Sequence, residues 1–106
     1  MHAQVVTYRI AGVSDADFID ANTEFAEMMA VVPGLLAKVW LKGADDGSYG
    51  GLYLWSDRAA CESFLAGPLW AEVLSDDSVL GLESRDYAVM DALTAMTQPG
   101  MAVPVA

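Results

Sequence analysis

Residues 38–55, KVWLKGADDGSYGGLYLW, hold two β-rich runs on either side of a Gly- and Asp-rich turn. Leu35 to Lys42 reads as one strand and Gly50 to Trp55 as the next, with Gly43 to Ser48 as the hairpin loop. Alternation puts Lys38, Trp40 and Lys42 on one face of the first strand, and Gly51, Tyr53 and Trp55 on one face of the second. Across a hairpin the two sets can lie side by side. Three aromatic rings with an ammonium beside them would make a platform for a flat ligand, Lys38 holding a phenolate or enolate oxygen. The same row would equally serve as aromatic packing in a subunit contact, with the lysine stems lying over it.

The flanking sequence supplies the rest of a fold. Residues 3–11 read as a first strand, closed by Gly12. Ser14 is placed to cap a helix whose first turn carries Asp15 and Asp17. In that helix Phe18, Asn22, Phe25 and Met29 share one face, and Pro33-Gly34 ends it. Asn22 needs a polar partner there, either backbone or something in a cavity. Ser56 is expected to cap a second helix to about Leu65, with Ala60, Cys61, Phe64 and Leu65 inward. Pro68 opens a short helix, Leu69 to Leu74. Leu80 to Met90 reads as the fourth strand, and Asp91 to Thr97 as a short final helix. The order is β-α-β-β-α-β, an α+β ferredoxin-like arrangement: a four-stranded antiparallel sheet with the helices on one face. Residues 1–98 are expected to form one domain, with 99–106 a loosely held tail. Both faces of the second strand are apolar, so the uncovered face of the sheet is expected to meet a second copy in a homodimer.

Composition narrows the function. An apolar fraction of 55% in 106 residues is high for an average domain and fits a buried subunit face or an internal cavity. Five basic against fifteen acidic residues give a net charge of −10, which argues against nucleic acid and anionic membranes as partners. The most apolar run, Met28 to Ala37, is far short of the roughly 20 residues of a membrane span. With no signal sequence visible and a lone Cys61, a cytoplasmic location is expected. His2, the single histidine, is expected at a mobile terminus, so His-dependent triads and His-ligated metal or haem sites lack their central residue and no metal is expected. Cys61 reads as a packing residue. The acidic pairs Asp45-Asp46 and Asp76-Asp77 lack the spacing of a calcium loop. Gly50-Gly51 reads as a close-packing or bulge site, and Arg9 and Arg85 as salt-bridge residues.

The segments PGLLAKVWLKGADDGSYGGLYLWSD (33–57), AACESFLAGPLWAEV (59–73) and VLGLESRDYAVMDALTAMTQ (79–98) together resemble the ydhR-like mono-oxygenases. The likeness spans nearly the whole chain. It implies a dimeric α+β barrel, in which two sheets pack face to face and each subunit keeps a ligand cavity. It also implies oxygenation of an aromatic phenol or quinol by dioxygen without a metal or organic cofactor. Lys38, Trp40, Gly50, Gly51, Tyr53 and Trp55 fall on the matching motif positions. Lys38 and Tyr53 are the expected catalytic pair, one holding the anion and the other donating a hydrogen bond. Trp40 and Trp55 are the expected stacking walls, with Tyr8, Asn22 and Phe25 as further substrate contacts. The haem-degrading branch of the superfamily uses a histidine that this chain lacks outside position 2. A non-redox isomerase or cyclase acting on a polyketide-like intermediate, and a non-catalytic binding dimer, are the alternatives.

Overall fold

Extended and helical segments alternate along the chain as the residue periodicities dictate, and the computed structural model describes residues 1–44 and 47–98. The elements are β1 (His2–Arg9), α1 (Asp15–Met29), β2 (Leu35–Lys42), β3 (Ser48–Trp55), α2 (Arg58–Leu65), α3 (Pro68–Ser75), β4 (Leu80–Ala88) and α4 (Asp91–Met96). The four strands form one antiparallel sheet in the order β2-β3-β1-β4, the ferredoxin-like topology. Ser14 caps α1 by accepting from Asp17 N at 3.2 Å. Residues Asp45, Asp46 and the tail 99–106 lie outside the described residues.

Several boundaries differ from the expectation. β1 includes His2, which is only 6% exposed and bonded to Asp86 across to β4. It is a core-facing strand residue, because alternation puts it on the same side as Gln4 and Val6. β3 starts at Ser48 rather than Gly50 and β4 ends at Ala88 rather than Met90. Asp57, not Ser56, caps α2: its carboxylate accepts from Ala60 N at 2.8 Å, while Ser56 N is bonded to Gly34 O at 2.8 Å. Arg85 lies 3.9 Å from Glu83 with both side chains exposed, a contact of little energetic weight. Asp76 is a turn residue, accepting from Ser78 N and Oγ at 2.9 and 2.6 Å.

The core is assembled on one side of the sheet. Val6, Met29, Tyr53, Trp55, Cys61, Phe64 and Trp70 are each at most 6% exposed and in mutual contact. α2 and α3 are held down by Cys61, Phe64 and Trp70. α1 is different: Met29 is its one fully buried residue, so its last turn is anchored while the turns carrying Phe18, Asn22 and Phe25 stand away from the strands. On the opposite face of the sheet Val39, Leu41, Leu52 and Tyr87 are 46%, 42%, 37% and 53% exposed.

The turn from α1 into β2 depends on Gly34, whose φ is +82°. A Cβ there would lie 2.5 Å from Ala60 Cβ and 3.0 Å from Ser56 Oγ, and the hydrogen bond from Ser56 stops the turn from swinging away. Gly34→Ala is therefore expected to cost about 2–5 kcal/mol, from about 1–2 for left-handed backbone and about 1–3 for overpacking against α2. Urea unfolding reads this as a lowered midpoint. An unchanged midpoint would show that the turn does not have this conformation.

Candidate active site

The space under the raised part of α1 is a cavity of about 530 Å³, within the size range of small-molecule sites. The strand register builds its floor. Lys38 pairs with Tyr53 and Trp40 with Gly51 across β2 and β3, and Val6 and Tyr8 continue the same face on β1. Phe18, Asn22 and Phe25 of α1 form its roof, and Glu72, Val73 and Asp76 at the end of α3 form one side of its rim. The aromatic row of the hairpin thus faces the helices and not the exposed side of the sheet.

Lys38 is held in an aromatic cage. Its Nζ lies 3.6 Å from the ring centre of Trp40, 4.5 Å from that of Tyr53 and 5.0 Å from that of Phe25. Gly51 makes this possible: a Cβ there would come within 3.3 Å of Lys38 Cε and 3.1 Å of the Tyr53 ring. Ring faces attract an ammonium, but burial dominates and lowers the Lys38 pKa to about 7. It is the one cationic side chain lining the cavity among the described residues. The two phenols move the other way. Burial, followed by the neighbouring Tyr49 and Asp76, raises Tyr8 to about 12. Burial, followed by Tyr8, raises Tyr53 still further. At neutral pH the cavity therefore holds two protonated phenols and one amine close to its titration point, and such displaced pKa values are a mark of functional sites.

Of the seven residues expected to form the site, six line this cavity: Lys38, Tyr53, Trp40, Tyr8, Asn22 and Phe25. Asn22 combines both of its expected roles, since its amide donates to Phe18 O at 2.9 Å while the side chain lines the roof. Trp55 requires a correction. It is fully buried, stacked on Tyr53 at 6.1 Å, and its indole N–H donates to Gln4 Oε1 at 3.1 Å. Two residues further along β3 than Tyr53, it is covered by Phe64 of α2 at 5.2 Å, where it supports the wall without forming it.

Sequence reasoning missed the end of the cavity. Phe18 stacks on Tyr49 at 4.3 Å and meets the edge of Trp40 at 6.3 Å, closing the space toward β2. Phe18 was legible as part of the apolar stripe of α1. Tyr49 was not, because the loop was expected to extend through Ser48 and leave it outside the strand.

Residues 5–99 match the family described as "Putative mono-oxygenase ydhR". Among solved structures, the chain is similar to SnoaB, a cofactor-independent oxygenase from Streptomyces nogalater, at 21% identity and a TM-score of 0.67 over 84% of this chain and 92% of that one. It is similar to a protein from Deinococcus radiodurans described as a "putative antibiotic biosynthesis monooxygenase", at 17% identity and a TM-score of 0.69 over 84% and 92%. It is also similar to a protein of unknown function from Nitrosomonas europaea, at 16% identity and a TM-score of 0.69 over 84% and 88%. At these identities the likeness fixes the fold. No curated protein matches the chain in sequence. Among the described residues, no helix is long and apolar enough to cross a membrane.

Proposed function

The chain belongs to the "Putative mono-oxygenase ydhR" family, and from that premise we propose that it oxygenates an electron-rich phenol or quinol in the cavity beneath α1, using dioxygen and no cofactor. The observation that carries the proposal is the aromatic cage around a single amine of lowered pKa. A flat substrate would stack against Trp40 and Phe25, with its acidic C–H or O–H turned to Lys38.

The chemistry follows from the three titratable groups. The unprotonated Lys38 amine takes a proton from the substrate, and the ammonium so formed lies beside the new anion. The Tyr8 and Tyr53 hydroxyls, still protonated, donate to its oxygens. The anion gives one electron to dioxygen, and the resulting pair joins to form a carbon–oxygen bond. Lys38 returns its proton to the peroxide, which loses water to leave a carbonyl. Written for the keto tautomer of the phenol, as in an anthrone, the balance is a CH₂ group and O₂ in, a C=O group and H₂O out. A dry, aromatic lining favours each step by strengthening the hydrogen bonds to the anion.

Oxygen uptake with a hydroxyanthrone is the direct test. Uptake that persists after chelation and in flavin-free protein is expected. Product formed equally under argon would overturn the oxygenase and favour a non-redox isomerase or cyclase, since the same amine and phenols suit proton transfer alone. Ligand-dependent thermal stabilisation without product would point to the non-catalytic binding dimer.

The exposed side of the sheet supports a homodimer. Val39, Leu41, Leu52 and Tyr87 are exposed together on one face, and an apolar group of this kind marks a protein contact. A second copy packed there would bury more than roughly 1,200 Å² in total. Sedimentation at micromolar concentration should give the dimer mass; a stable 11.3 kDa monomer would exclude it. The unpaired Cys61 supports a reducing, cytoplasmic setting.

A further inference from the structure

A second cluster lies outside the cavity, behind Trp55. His2 of β1, Cys61 of α2 and Asp86 of β4 bring a ring nitrogen, a thiol sulfur and a carboxylate oxygen all within 4.8 Å of one another. His2 Nε2 is 2.5 Å from Asp86 Oδ2. Cys61 is fully buried and His2 nearly so, while the Asp86 side chain is 39% exposed. An open depression bordered by Met1, Ser56, Asp57, Arg58 and Ala88 leads to His2 and Asp86. The expectation that no metal is bound rested on a mobile His2, and that residue is instead fixed in the sheet.

We propose that His2, Cys61 and Asp86 bind a zinc-like divalent cation, with a water from the depression as fourth ligand. One nitrogen, one sulfur and one oxygen donor suit zinc and exclude calcium or magnesium, which require oxygen-only shells. Bonds of about 2.0–2.3 Å to zinc put ligand atoms roughly 3.3–3.8 Å apart, so the ion must enter between His2 Nε2 and Asp86 Oδ2, opening their 2.5 Å contact, while the Cys61 sulfur, within 4.8 Å of both, closes on it. A thiolate and a carboxylate neutralise the dication. Asp57 and Arg58 both line the depression, and the Arg58 charge is offset by Glu62 at 2.9 Å. Before metal binds, the Cys61 thiol donates weakly to Gln4 Oε1 at 3.8 Å, an oxygen that also accepts from the Trp55 indole, so Gln4 keeps a partner when the thiol is deprotonated. Zinc binds the thiolate and not the thiol, so affinity rises with pH. The ion would join β1, β4 and α2, and it uses none of the cavity residues.

Cobalt(II) is the probe, added to the reduced full chain free of any polyhistidine tag. One equivalent at pH 8 should give a thiolate-to-cobalt charge-transfer band with intense tetrahedral visible bands, both removed by zinc. Zinc should raise the melting temperature and a chelator should reverse the rise. Cys61→Ser should abolish the charge-transfer band. Asp86→Asn, at a partly exposed position where the amide oxygen can still accept from His2, should weaken zinc by more than about 10-fold, the loss seen even for groups that only orient a ligand. Absence of a thiolate band would overturn the proposal, as would a cobalt spectrum unchanged by Cys61→Ser or a zinc affinity unchanged by Asp86→Asn. If Cys61→Ser fails to fold, the wild-type spectrum and the Asp86→Asn affinity decide between these outcomes.

Discussion

Lys38→Met is expected to abolish turnover and, at the same time, to stabilise the protein. Methionine keeps an unbranched apolar stem inside the cage of Trp40, Tyr53 and Phe25 but cannot accept a proton. Loss of a general base is worth about 10²–10⁴ in rate, so kcat/KM should fall by at least about 100-fold. The stability gain comes from removing a desolvated ammonium. The amine titrates at 10.5 in the unfolded chain and at about 7 when folded. Between those values the unfolded chain binds the extra proton, so wild-type stability rises with pH from about 7 to 10.5. Below pH 7 both states are protonated and the folded state bears the whole cost of the buried charge. The advantage of Lys38→Met is thus largest below pH 7 and fades toward 10.5. At about 4–8 °C per kcal/mol for a domain of this size, the melting temperature at pH 6 should rise by at least about 4 °C. Wild-type activity should rise through pH 7 and then level off. A variant that is both active and less stable would remove Lys38 from the chemistry and from its desolvated setting.

Trp55→Ala and Trp40→Ala should have opposite consequences, although the two residues belong to one aromatic row. Trp55 is fully buried between Tyr53 and Phe64, at 6.1 and 5.2 Å between ring centres. Its truncation should cost about 3–5 kcal/mol, a large share of the 5–15 kcal/mol that holds a domain together. It also leaves Gln4 Oε1 with only the weak thiol contact. Chemical denaturation should show a much lower midpoint, or no folded baseline at all. Trp40 is half-buried and borders open space, so Trp40→Ala should fold with a smaller loss. It should bind a flat substrate at least about tenfold more weakly, because a stacking wall worth roughly 1.4 kcal/mol or more is gone. The comparison of denaturation midpoint with KM separates the two. Equal effects of both substitutions on stability would mean that the cavity floor is packed solid.

The architecture was legible because local rules and tertiary packing agree. Alternation along Leu35–Lys42 and Gly50–Trp55, the Ser14 cap and the Pro33-Gly34 stop each reflect a backbone preference that holds before anything packs. Together they leave one simple topology. Side-chain parity placed Lys38, Trp40 and Tyr53 on one face, and the α1 stripe put Asn22 and Phe25 on another, so most of the cavity lining was present as two separate lists. Parity cannot say which face of a sheet the helices cover when both are apolar, as they are in β2. That depends on how the connections cross over, and it is the tertiary structure that turns the row toward α1. Nor can local sequence show that α1 is anchored only at Met29, which leaves the space beneath it open; that is a matter of how side-chain volumes meet. Trp55 and His2 show the same limit. Trp55 shares its parity with Tyr53 but is covered by Phe64 of α2, a contact with a separate element that alternation cannot reveal. His2 stands near the chain start, yet the β1–β4 register brings Asp86, 84 residues away, beside its ring. Periodicity depends on neighbours in the chain and determined the elements; burial, pKa and the gathering of His2, Cys61 and Asp86 depend on distances between segments remote in sequence, and only folding sets those.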